Sequence, residues 1–65
     1  MKNLDDIAKE NNIDSVDLGN AVEAILASRK GSYLEADRYE RGMSRKFTQA
    51  EWDVAHDIVD DYEKR

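Results

Sequence analysis

Sixty-five residues, fifteen of them acidic and ten basic, with a net charge of −5 and neither cysteine nor proline, exclude several classes of protein at once. No disulfide framework, thiol redox motif or thiolate zinc site can be built without cysteine, and the longest apolar run, Ala24 to Ala27, is far too short to span a bilayer. The length implies a single small domain, and the acid-bearing start MKNLDDIAKENN lacks the apolar run of a secretory peptide, which points to the cytoplasm.

Asn3 or Asp5 is placed to start a short first helix, with Leu4, Ile7 and Ala8 on one side. Asn11 and Asn12 end it, because asparagine tolerates the left-handed conformation that closes a helix. Asp14 or Ser15 then caps a second helix whose apolar positions Leu18, Ala21, Val22, Ile25 and Leu26 follow the i, i+3, i+4, i+7, i+8 pattern. Gly31 stops it, just after Arg29 and Lys30, whose charge suits a helix C-terminus. Ser32 and Glu35 have capping-box spacing, so a third helix is expected from Tyr33 to about Arg41. Its apolar stripe is thin, and a hairpin with Tyr33 and Tyr39 on one strand face is the rival conformation. Gly42 to Lys46 reads as a basic loop. In the last segment Thr48 and Glu51 make a second capping box, with Phe47 and Trp52 at hydrophobic-staple spacing. A helix is predicted from about Gln49 to Glu63, with Trp52, Ala55, Val59 and Tyr62 on one face and Ile58 beside them. The fold class is therefore all-α, a small bundle of three to four short helices, with residues 32–46 open between helix, hairpin and loop.

Such a bundle has little to build a core from. Leu, Ile, Val and Phe supply thirteen residues, a fraction at the border where charged chains stay disordered. A chain this short buries only about 60% of its unfolded surface. Either its apolar positions are well arranged, or a partner supplies part of the core.

Residues 4–22, LDDIAKENNIDSVDLGNAV, resemble a helix-turn-helix: an Ile-Ala pair on the first helix, a turn ending in Ile13, then Leu18 and Val22 on the second. The resemblance implies DNA binding through the second helix. It departs from the family pattern at Asn11 and Asn12, where a small residue and glycine usually precede the turn. The would-be recognition helix also offers Asp14, Ser15, Asp17 and Asn20, with no cation before Arg29, although a helix in the major groove must neutralise phosphates.

Charge is unevenly spread. Residues 1–28 hold six acids and two bases, residues 29–46 three acids and six bases, and residues 47–65 six acids and two bases. On the last helix Asp53, Asp57 and Asp60 fall at i, i+4 and i+7, flanked by Asp61 and Glu51. Like charges at this spacing weaken a helix, and Asp60 and Asp61 also oppose its dipole. Such a row can imitate a phosphate backbone and occupy a basic cleft on another protein. Some anti-restriction and anti-CRISPR inhibitors of phages and mobile elements are small acidic proteins that work this way, and the likeness here is one of size and charge. For a phage-encoded protein the compartment would be the host cytoplasm. Asp5, Asp6, Asp14 and Asp17 form a second acidic patch, and Tyr33, Tyr39, Trp52 and Phe47 are the aromatic side chains that would anchor a partner where exposed.

His56 has Asp-x-x-His spacing to Asp53 and lies a turn from Asp60, but no second histidine or cysteine completes a metal site, so it is expected to border the apolar face and pair with one of those aspartates. No cofactor or metal is expected. Gly19, Gly31 and Gly42 are isolated and form no phosphate-cradling loop, and carboxylates on one exposed face gain no acid–base role. The basic, aromatic stretch from Arg38 to Phe47 suits stacking on single strands, or lying against the acidic helices to relieve their repulsion. The function expected is that of a noncatalytic inhibitor or modulator that binds a basic protein surface, without direct nucleic-acid or membrane binding, as a monomer or homodimer. The alternatives are a helix-turn-helix transcriptional regulator and a homo-oligomeric structural protein.

Overall fold

The computed structural model describes residues 3–42 and 46–64, apart from the side chains of Tyr33 and Arg41. Four helices follow in chain order: α1 (Leu4–Glu10), α2 (Ser15–Arg29), α3 (Tyr33–Gly42) and α4 (Gln49–Glu63). Among the described residues there is no strand, so the segment open between helix and hairpin is helical as far as Gly42. The expected basic loop after it falls mostly outside the described residues.

The helix starts, and the ends of α1 and α2, are set by local devices that the sequence announces. Asn3 caps α1, its side chain accepting from the Asp6 N–H at 2.9 Å. Asp14 caps α2, accepting from the N–H groups of Val16 at 2.9 Å and Asp17 at 3.2 Å. Both helices close in the same way. Asn12 at φ 56° and Gly31 at φ 84° take the left-handed conformation. The next residues, Ile13 and Ser32, then donate back to the carbonyls of Ala8 and Ala27, each at 2.9 Å, which is a Schellman closure. At α3 the Ser32 hydroxyl donates to the Glu35 carboxylate at 3.3 Å. Thr48 and Glu51 form the full reciprocal capping box of α4, and the Phe47 ring meets Trp52 edge-on with centroids 4.9 Å apart, which completes the staple.

Every other helix packs on α2. The chain turns back at Gly31, so α3 runs antiparallel to it. In contrast, α4 runs parallel to it: Arg29, the last residue of α2, reaches Asp60 and Glu63 in the last turns of α4, and the two N-termini meet at the other end, where Asp14 and Asp17 share a hollow with Thr48 and Glu51. Among the described residues α1, α3 and α4 do not pack side by side with one another. The body is accordingly flattened, 31 × 28 × 16 Å, with a radius of gyration of 11.2 Å.

A central helix touched from several directions cannot keep a narrow apolar stripe. Leu18, Ala21 and Ile25 are buried as the periodicity predicts, and Ala24 and Ala27 join them. Alanines there let the neighbouring helices approach closely. Val22 and Leu26, at the edge of the expected α2 stripe, are half-buried and pack against this cluster. Ala8, Phe47, Ala55 and Val59 complete the buried cluster. Tyr62 departs from expectation, being 71% exposed although it continues the packed face of α4.

Candidate functional site

On α4 the buried positions Glu51, Ala55 and Val59 define one side. Asp53, Asp57, Asp60 and Asp61 are exposed, with Asp53, Asp57 and Asp60 on the opposite side and Asp61 beside Asp57. The helix from Gln49 to Glu63 contains six acids and no lysine or arginine. Asp53 and Asp60 are tied to the fold. Asp53 accepts from the Gln49 amide at 2.8 Å, a neutral partner that leaves its charge uncompensated. Asp60 accepts from Arg29 Nη2 at 2.9 Å, and Arg29 Nη1 reaches Glu63 at 2.6 Å. This fork raises the Arg29 pKa above its ordinary value, chiefly through the hydrogen bond to Asp60. Both side chains of the Arg29–Asp60 pair remain substantially exposed, so the fork ties the C-terminal ends of α2 and α4 together without removing the carboxylate from the surface.

Glu51 is corrected by the structure. It was expected to flank the acidic row but is only 3% exposed, and its carboxylate accepts from the Thr48 N–H at 2.8 Å. Capping geometry turns the third helical residue back towards the start of the helix, so this acid is spent on α4 itself. The same holds in part for the second patch. Asp5 and Asp6 are exposed in the first turn of α1, where acids suit the dipole. Asp14 is occupied as a cap and Asp17 is half-buried beside it, so the four do not form one row.

Of the aromatic candidates, Trp52 is half-buried, packed edge-on against Phe47 and lining a hollow between α2, α3 and α4 with Ala36 and His56. Tyr39 is half-buried against the core, Phe47 is buried, and the Tyr33 side chain lies outside the described residues. Among the described residues the large aromatic left exposed is Tyr62, which helical periodicity assigns to the packed face. His56 lies exposed beside Trp52, ring centroids 6.2 Å apart, rather than in the expected pairing with an aspartate: Asp60 is held by Arg29 and Asp53 by Gln49. Among the described residues no group of three or more histidine and acidic side chains is placed to hold a metal ion. None of their helices is long and apolar enough to cross a membrane.

Two contacts escaped sequence reasoning. Glu40 on α3 accepts from the Phe47 N–H at 3.1 Å, fixing the lead-in to α4. The Arg29 fork spans more than thirty residues, and the sequence marked Arg29 only as a cation suited to the end of α2. The helix pair of the expected helix-turn-helix forms, as α1, the turn through Asn12 and α2, and acids stand at the head of its second helix. Compared with protein-family models, with curated proteins and with solved structures, the chain matches none.

Proposed function

We propose that this chain is a noncatalytic protein-binding module whose outward α4 face meets a positively charged surface on another protein. The observation that carries it is the exposure of Asp53, Asp57, Asp60 and Asp61 along a helix without a cation of its own. Such a row is costly to the helix, and Arg29 offsets it at Asp60. Its physical use is to steer association and match a basic cleft. In its finer form the face stands in for the phosphates of a nucleic-acid strand, and the module inhibits or modulates a nucleic-acid-handling assembly, as phage-type anti-restriction or anti-CRISPR proteins do.

The test is a titration into a panel of basic nucleic-acid-binding proteins across a salt series, with a triple Asp53→Asn, Asp57→Asn, Asp60→Asn variant alongside. Binding that falls steeply between about 50 and 200 mM salt, competes with nucleic acid and is lost in the triple variant is the expected result. Affinity indifferent to both salt and the triple substitution would refute it.

A second reading, DNA binding through α1 and α2, is favoured by the helix pair itself and opposed by the acids at the head of α2. Its test is a mobility shift with random duplex at low salt, and no retardation at tens of micromolar chain would dispose of it.

A further inference from the structure

Next to the acidic face, α2 and α4 leave an apolar groove of about 320 Å³ between them. Val22 and Leu26 form one wall, Ile58 and Tyr62 the other, each pair four residues apart on its helix, with Val59 at the floor. Val59 is buried, Val22, Leu26 and Ile58 are half-buried, and Tyr62 stands at the lip. The groove follows from the architecture. Close packing on the face that carries Leu18, Ala21, Ala24 and Ile25 leaves Val22 and Leu26 at its edge, and a flat body supplies no further helix to cover them. Apolar surface left wet in this way gains roughly 25 cal/mol for each Å² that a partner covers.

The charges around the groove select the occupant. Among the described residues the charged side chain lining it is Glu23, and Asp57 and Asp61 flank Ile58 on the outer side. Lys30 follows one turn beyond Leu26, at the C-terminal end of α2. Because α2 and α4 run parallel, their negative dipole ends lie at the same end of the groove and reinforce one another. A second copy of this chain would bring the acidic flank of α4 against itself across a twofold axis, which like-charge repulsion opposes. We propose that the groove receives an amphipathic helix of the basic partner protein. Its apolar residues at i, i+3, i+4 and i+7 enter between α2 and α4, and its flanking lysines or arginines meet Glu23, Asp57 and Asp61. This deepens the protein-binding function proposed above, on which it rests, and names the segment of the partner that is recognised.

The test uses the isotope-labelled full chain and two synthetic peptides. One carries leucines at that spacing among lysines, and the other has the same composition with the leucines scattered around the helix. The striped peptide is expected to shift the methyl signals of Val22, Leu26 and Ile58 and the ring signals of Tyr62, and to bind about tenfold more tightly than the scattered one. Tyr62→Ala, at an exposed position, should weaken it by about tenfold and leave the unfolding temperature unchanged. Equal binding of both peptides, with shifts confined to Asp53, Asp57 and Asp61, would overturn the groove while leaving the acidic face in place. Groove signals that move on dilution of the chain alone would overturn it in favour of a second copy, and binding of neither peptide at low salt would overturn it outright. Conversely, groove binding that persists while the triple aspartate variant retains full affinity for its protein target would uphold the groove and remove the acidic-face function.

Discussion

Asp57 has acids a turn away on both sides: Asp53 four residues before it, Asp60 and Asp61 three and four after. It lies well inside α4, so the dipole terms that dominate helix ends bear little on it. Replacing it by asparagine keeps shape and helix propensity nearly constant and removes only the charge. Of the three neighbours, Asp60 is already compensated by Arg29 at 2.9 Å and Asp61 has a partner of its own, which leaves the repulsive pair with Asp53. At about 0.2–0.5 kcal/mol for such a pair, Asp57→Asn should stabilise the protein by about that amount. For a domain of this size that raises the midpoint of thermal unfolding by about 1–4 °C. Circular dichroism melts at low ionic strength read the shift directly. At about 1 M salt, where screening acts over about 3 Å, the difference should vanish. Affinity for a basic protein should fall in the same variant, so that stability and binding move in opposite directions. A melt unchanged or lowered at low salt would refute the claim that the acidic row strains its own helix, and with it the main reason for assigning the row to a partner.

Other substitutions separate acids that serve the fold from acids that face outward. Glu51→Ala should cost about 1–2 kcal/mol in urea unfolding, because the Thr48 N–H loses its acceptor, whereas Glu51→Gln preserves the capping box and should be near neutral for stability and for partner binding alike. Leu18→Ala, at a fully buried position, should cost about 2–5 kcal/mol of a total of about 3–10 kcal/mol expected at this length, and circular dichroism at 37 °C should show substantial unfolding. At Gly31 an added Cβ would meet nothing within 4 Å, so Gly31→Ala tests the positive φ alone and should lower stability by about 1 kcal/mol in the same assay.

The helix ends were legible in the sequence because capping is local chemistry. Asn3, Asp14, the Thr48–Glu51 box and the left-handed Asn12 and Gly31 all act within a few residues of where they stand. The Phe47–Trp52 staple was legible for the same reason. Capping also explains where the candidate site was misjudged. Spacing puts Glu51 at the edge of the acidic row, but a residue in a capping box turns towards the backbone, and its carboxylate is buried.

What the sequence could not decide was how the helices would use their faces. Periodicity marks which α2 positions are apolar but not how many neighbours they must serve. A helix flanked by three others buries Ala24 and Ala27 and leaves Val22 and Leu26 at a groove. The parallel course of α2 and α4 depends on the return of the chain through α3. That course brings Arg29 to Asp60 and Glu63, and it leaves Tyr62 at the surface. Local hydrogen bonding thus determined where the helices begin and where α1 and α2 end, and side-by-side packing determined which side chains remain for a partner.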